Sequence, residues 1–303
     1  MDLKENIQIS VVVCTYNRLE MLKKCLESLR EQSYKNFEVI VVNDASSDGT
    51  KVFLDSIQTL DLTALHHEDN SGLSPSRNDG IKKARYGLIA FTDDDCIADK
   101  DWLLEIKKAF EIGDADFGSG QTFLVSKDHQ GSFPERIVTN INAKWPKGNN
   151  LIIKKAVFEK AGLFDRTMDY YCNDDSEFGI RVISLGFKFI SIPSAVVYHQ
   201  LTYWTSESLL RSARNPSVWV LLKKKYPGHY MHFNPPIKKG WIINGEDYLH
   251  IFAMALVLPI LLIRYIIKGQ RDFKLFFTKW PLYPFLRRWY IYKTAIKQKK
   301  FMV

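Results

Sequence analysis

The first 200 residues alternate short runs of consecutive apolar residues with stretches of helical spacing, and few folds accommodate that alternation. Residues 7–14 (IQISVVVC), 37–42 (FEVIVV), 62–66 and 88–92 read as strands. Between them, Leu19, Leu22, Leu26 and Leu29 recur at helical spacing, and further helical stretches start at Thr50 and run through 78–84. Strands that are apolar at nearly every position are buried on both faces, so joined by helices they form a parallel sheet covered on each side. In such doubly wound sheets ligands gather beyond the carboxyl ends of the strands. The polar clusters of this sequence fall there: Thr15, Tyr16 and Asn17 after the first strand, Asn43 and Asp44 after the second, Asp93, Asp94 and Asp95 after the fourth. From Ala115 the runs change character (117–125, 150–153, 187–192 and 195–198, around a helix at 177–185), which predicts mixed strand directions in the rest of the sheet.

Charge divides the chain. Residues 1–200 hold 24 Lys+Arg against 30 Asp+Glu, whereas residues 201–303 hold 18 against 4, within an overall formal charge of +8. The C-terminal third therefore faces something anionic, either lipid headgroups or nucleic acid. Cys14, Cys25, Cys96 and Cys172 are widely spaced, with no C-x-x-C pair and no zinc-like Cys/His cluster, and read as reduced thiols. The first ten residues, MDLKENIQIS, contain no apolar core of signal-peptide length, an expectation against secretion.

Several clusters carry chemistry. Asp93, Asp94 and Asp95 could form a plain acidic turn before the next helix, with Asp99 as its cap. Three consecutive aspartates repel one another unless a cation is present, however, and Mg²⁺ or Mn²⁺ prefers carboxylate oxygens, which favours a metal site. Asp44, in Asn43-Asp44-Ala45-Ser46-Ser47-Asp48-Gly49-Thr50, is placed to accept hydrogen bonds from a ribose or base, while Asp48 or Ser47 can cap the helix from Thr50. Arg77 lies at a helix start, where a cation is mildly unfavourable, and can pair with phosphate. Asp174 and Asp175 either complement a helix dipole or supply a general base. His199 ends an apolar strand and is either polar edge or metal ligand.

The ordered series SVVVCTYNR, VVNDASSDGT, NSGLSPSRNDGI, FTDDDC with DWL, KGNNLIIKK with AGLFD, DDSEFGIRVISLGF and AVVYH resembles the inverting glycosyltransferases of family 2, over roughly residues 9–199. The resemblance implies an α/β fold of GT-A type: a doubly wound mixed sheet with helices on both faces. It implies that Thr15, Tyr16 and Asn17 lie against a nucleotide-sugar donor, that Asp44 reads its base or ribose, and that Arg77 lies near the diphosphate. Asp93 and Asp95 match the family's D-x-D pair around Asp94, with Asp95 the direct ligand of Mn²⁺ or Mg²⁺ and His199 a third ligand. Asp175 matches the general base; Asp174 stands where the family usually has Glu, which leaves the choice between the two open. Uridine diphosphate is the donor nucleotide expected from the family, and a lid is expected around residues 130–147.

The C-terminal third differs. Residues 207–225 read as helical and basic, and 227–240 as a Pro/Gly-rich linker. Residues 249–267 form a 19-residue apolar run, long enough to span a bilayer, but interrupted by His250, Pro259 and Arg264. From 268 to 300 there are ten Lys+Arg against Asp272 alone, with Phe273, Phe276, Phe277, Trp280, Tyr283, Trp289 and Tyr290 interleaved. A single span would leave this basic tail outside, against the positive-inside tendency, so a re-entrant or interfacial segment is expected, on the cytoplasmic face of the membrane. The expected organisation is a transferase domain over 1–205, a basic helical linker over 206–248 and a membrane-associating helical appendage over 249–303. Its partners would be a nucleotide-sugar donor and a glycan or lipid-linked acceptor, without nucleic acid. A nucleotidyltransferase is the rival enzyme, but the place of its Gly-rich loop holds Thr15-Tyr16-Asn17-Arg18; a non-catalytic scaffold is the other, but every aspartate is present.

Overall fold

The computed structural model describes residues 7–125, 138–200, 202, 204–233, 236–239, 241–252, 254–267, 278–300 and 302. Two compact units result. The first holds the described residues up to Val125, then 138–169 and 174–200; the second holds 170–173 and the described residues beyond 200.

The first unit is built on an eight-stranded sheet. Strands β1 (Ile9–Thr15), β2 (Phe37–Asn43), β3 (Leu62–His66) and β4 (Leu88–Asp93) run parallel in the order β3-β2-β1-β4. The sheet continues through β7 (Asn150–Lys154), β6 (Phe117–Leu124), β8 (Phe189–His199) and the edge strand β5 (Cys96–Ala98). Here the direction changes: β7 is antiparallel to both β4 and β6, β8 is parallel to β6, and β5 is antiparallel to β8. The mixed, doubly wound sheet expected from the strand patterns is therefore present.

Alternate residues of β1 serve different cores, which is why the run carries no polar alternation. Ile9, Val11 and Val13 pack with α1 (Leu19–Arg30), α2 (Thr50–Asp55) and α4 (Trp102–Ile112). Val12 joins the opposite core with α3 (Leu73–Lys83), α5 (Lys155–Ala161) and α6 (Asp174–Ser184). Helix α3 lies so close to β1 that a Cβ on Gly80 would come 2.5 Å from Val12 Cγ1, so glycine is the residue that fits this crossing.

Three local differences from the sequence reading have physical causes. The runs 187–192 and 195–198 are one strand, β8, whose register against β6 shifts between Gly120 and Gln121; this bulge accommodates Pro193, which has no amide to donate to a ladder. The helical stretch expected at 207–225 is two helices, α7 (Ser206–Ser212) and α8 (Val218–Lys225), parted at Asn215-Pro216. The linker contains a short hairpin of β9 (Ile237–Lys238) and β10 (Ile242–Ile243).

In the second unit the described residues of the apolar run 249–267 are helical, in α9 (Glu246–Phe252) and α10 (Met254–Ile267). Among the described residues no helix is long and apolar enough to cross a membrane. Helix α11 (Tyr283–Gln298) packs against α7, α8 and α9. Asp247, fully buried, is its anchor: it accepts from Arg287 Nε at 2.7 Å and Arg288 Nε at 2.9 Å, and Arg288 also donates to the Ile243 carbonyl. Phe273, Phe276, Phe277 and residues 130–137 of the expected lid lie outside the described residues.

Candidate active site

Parallel register puts the polar clusters side by side. Thr15 is opposite Asn43, and Cys14 opposite Asp93, so the ends of β2, β1 and β4 form one ledge. The loops above it are tied together. Asn17 adopts a left-handed backbone (φ 52°); its amide donates to Ser46 Oγ at 2.9 Å, and its Oδ1 accepts from the Ser47 amide at 2.8 Å. Asp48 caps two helices, accepting from the Leu19 amide at 2.9 Å and from the Thr50 hydroxyl at 2.6 Å. Tyr16 lies exposed beside this frame. Asn17 is thus a frame residue as well as a donor-site candidate.

Asp44 organises the loop that enters α3. Its Oδ1 accepts from the Ser71 amide and hydroxyl, both at 2.9 Å, and meets His67 Nδ1 at 2.7 Å; its Oδ2 accepts from the Gly72 amide at 2.9 Å. Burial pushes this carboxyl up, but the bonds from Ser71, His67 and Gly72 outweigh it and hold it below the usual range. Oδ2, with one donor, retains acceptor capacity for a ligand hydroxyl or base N–H.

The acidic triplet is divided among three settings. Asp94 accepts from the Thr15 hydroxyl at 2.8 Å and from Arg18 at 3.1 Å. Burial raises its pKa to about 6; Arg18 opposes the rise and the neighbouring Asp95 charge adds to it. Asp95 is held on one oxygen by Arg18 at 3.0 Å and faces His199 Nε2 at 3.3 Å with the other. This meeting follows from topology: Cys96 pairs with His199 across β5 and β8, and the Gln200 amide donates to the Asp95 carbonyl at 2.7 Å. Asp93 is partly open, with Arg77 at 3.3 Å. Its carboxyl is pushed up by burial, against the pull of Arg77 and with Asp95 adding to it.

These residues suit a divalent cation in one respect. His199 Nδ1 lies 2.7 Å from the Gln200 carbonyl, which only accepts, so Nδ1–H donates to it, and Nε2 is turned to Asp95 Oδ1. Two lone-pair groups at 3.3 Å require a proton or a cation between them. Among the described residues no three His, Cys, Asp or Glu side chains form a ready cage. An open site, with one or two carboxylates and ligand phosphates completing the shell, is how Mg²⁺ is commonly held.

The second acidic pair begins α6. Asp174 is buried and receives the Arg77 guanidinium; burial pushes its pKa up, Arg77 pulls it down, and the adjacent Asp175 raises it again. Asp175 is only half-buried, accepting from the Gly148 amide at 3.0 Å and the Ser176 amide at 2.6 Å. The two differ in setting: Asp174 is committed to a buried ion pair, and Asp175 keeps a half-exposed carboxylate. Arg77 itself is buried between Asp93 and Asp174, against the Phe164 ring, so it links the two acidic groups.

Arg18, Gly148 and the His67-Ser71 clasp escape a pattern reading. Gly148 is needed twice: its amide orients Asp175, and a Cβ there would lie 2.2 Å from Arg77 Nη2. Gly148→Ala is expected to cost about 1–3 kcal/mol in a denaturant titration, by forcing the buried guanidinium aside. An unchanged midpoint would mean that Arg77 yields freely.

The profile of Glycosyl transferase family 2 matches residues 10–177, so this chain belongs to that family. Glycosyltransferase GlyA of Streptococcus pneumoniae is 33% identical over 42% of this chain and 18% of its own length. The amylovoran biosynthesis glycosyltransferase AmsB of Erwinia amylovora is 28% identical over 71% of this chain and 77% of its own. The first four curated relatives are matched over only 18% to 56% of their length. In fold, the chain is similar to the mannosyltransferase PcManGT of Pyrobaculum calidifontis, solved with GDP-Man and Mn²⁺, at a TM-score of 0.59 and 18% identity, covering 98% of this chain and 88% of that one.

Proposed function

We propose that this chain transfers a sugar, with inversion, from a nucleoside-diphosphate donor to a glycan or lipid-linked acceptor in the synthesis of a surface polysaccharide. The observation that carries the reading is two acidic groups joined through Arg77: the triplet at the end of β4 with its Asp95–His199 contact, and the pair at the start of α6, where Asp175 keeps a half-exposed carboxylate beside the Arg77–Asp174 ion pair. AmsB supports the polysaccharide context by its name, and PcManGT supports a nucleotide sugar with Mn²⁺ by its ligands.

In this reading Thr15, Tyr16 and the Asp44 Oδ2 hold the nucleoside. Asp93, Asp95 and His199 hold Mn²⁺ or Mg²⁺, which when bound neutralises the departing diphosphate. Asp175 takes the acceptor hydroxyl proton as that oxygen bonds to the anomeric carbon; the bond from that carbon to the diphosphate oxygen breaks on the opposite side, and configuration inverts. The amides of Gly148 and Ser176 keep the Asp175 carboxylate aimed. UDP and GDP are both to be titrated with Mn²⁺, by calorimetry. Saturable binding of one, lost with EDTA or in Asp95→Ala, is expected; binding indifferent to both would remove the metal from the reading.

The acceptor reading extends to a membrane surface. Helix α11 exposes Phe285, Trp289, Tyr292 and Ile296, spaced four, three and four along one stripe, with Lys293 and Lys297 exposed beside it; α10 exposes Ile260, Ile263, Ile266 and Ile267. Apolar stripes edged by lysine suit a helix lying in an anionic interface. Vesicles of phosphatidylglycerol and phosphatidylcholine are expected to carry the protein in flotation. Lys293→Glu and Lys297→Glu should each weaken that binding about fivefold or more, since a surface lysine contributes about 1 kcal/mol. Failure to float with the wild-type chain would exclude this surface.

A further inference from the structure

We propose that Arg18 competes with the divalent cation for the acidic triplet, so that the cation binds tightly only together with a nucleoside diphosphate. The inference rests on the donor reading above and concerns how that site is loaded. One nitrogen, Arg18 Nη1, lies 3.1 Å from Asp94 Oδ1 and 3.0 Å from Asp95 Oδ2, bridging the two carboxylates as a cation would. Both carboxylates are nearly buried, with 5% and 3% of their side chains exposed, and a third, Asp93, precedes them. Positive charge at this point is therefore a structural need, and Arg18 meets it.

The two arginines of the site differ in freedom. Arg77 is 4% exposed and wedged under Gly148, where it cannot leave without stranding Asp174. Arg18 is 40% exposed, at the loop between β1 and α1, with its contacts confined to one end of the guanidinium. It can swing outward as a side chain while the loop stays fixed by Asn17 and Asp48. A guanidinium does not lose its proton, so it yields the carboxylates only by displacement. A bare divalent cation must evict it into water. A cation arriving with a diphosphate offers the evicted guanidinium two phosphates, which it binds in bidentate fashion. Cation and nucleotide affinities are then coupled, and by linkage the coupling is reciprocal.

The test is Mn²⁺ binding, read from the electron paramagnetic resonance of free Mn²⁺, for the wild-type chain, Arg18→Ala and Arg18→Gln, alone and with saturating UDP or GDP. Thermal melts of each variant confirm folding, and Arg18→Gln retains most of the side-chain volume should Arg18→Ala not fold. The wild-type chain is expected to bind Mn²⁺ at least about tenfold tighter with nucleotide; both variants should bind Mn²⁺ alone about tenfold tighter than wild type and gain little from nucleotide. If the variants bind Mn²⁺ alone no better than wild type while nucleotide still promotes binding, Arg18 is no competitor and the donor reading survives. If no protein binds Mn²⁺ even with nucleotide, the donor reading and this inference fail together.

Discussion

Asp175→Asn is expected to lower sugar transfer about 10²–10⁴-fold, the range for losing a general base, while nucleotide binding stays unchanged. Asn keeps the shape and, through its one carbonyl oxygen, one of the two contacts with the Gly148 and Ser176 amides, but cannot take a proton from an acceptor hydroxyl. The effect should fall on kcat with little change in donor KM, because in the proposed reading Asp175 acts on the acceptor and groups on β1, β2 and β4 hold the donor. Asp174→Asn serves as the contrast. Asp174 is spent on Arg77, so its loss should show in stability first. Equal loss of turnover in both variants, at equal stability, would overturn the assignment.

Arg77→Met is expected to destabilise the first unit by about 3–5 kcal/mol, since it leaves Asp174 buried without its cation. For a unit of this size that lowers Tm by roughly 10 °C. The loss carries a pH signature. Burial, opposed by Arg77 and reinforced by Asp175, already holds the Asp174 pKa above its ordinary value. Such a carboxyl favours the fold when neutral, so this contribution is complete below the unfolded pKa and is lost as pH rises through the folded one. Without Arg77 the folded pKa rises further. The variant should therefore be closest to wild type in mildly acidic buffer and furthest from it at pH about 8. Adding Asp174→Leu to Arg77→Met should recover part of the stability, as replacement of a buried pair by apolar groups often does. A Tm within a degree or two of wild type at pH about 8 would mean that Asp174 is hydrated, against the burial described here.

Much of the sheet is visible in the amino-acid pattern because β1, β2 and β4 are mostly apolar on both faces and stand out as runs broken only by Ser10 in β1, Glu38 in β2 and the polar residues at their ends. The strand β5 does not, since three residues carry no period, and its pairing with β8 joins Cys96 to His199 across a hundred positions. That pairing is what brings His199 to Asp95, so the contact is invisible to spacing even though both residues are conspicuous. The rival readings of Asp174 and Asp175 turn on burial, which identical neighbouring side chains cannot disclose. Arg18 reads as an ordinary cation before a helix; only the folded loop shows that it bridges Asp94 and Asp95. In the second unit, composition marks the apolar and basic stretches, but the interruption at Asn215-Pro216 divides the basic one into helices shorter than the pattern suggests.

The central claim, that the ledge at the strand ends is a metal-assisted sugar-transfer site, is met most directly by measuring nucleoside diphosphate release from a panel of UDP-, GDP- and dTDP-sugars with Mn²⁺, Mg²⁺ or EDTA, comparing wild type with Asp95→Ala and Asp175→Asn. The account predicts release from one donor class, dependent on the divalent cation and abolished or severely reduced in both variants. Release that persists in EDTA and in both variants, or a wild-type chain that neither binds nor turns over any donor, would contradict it.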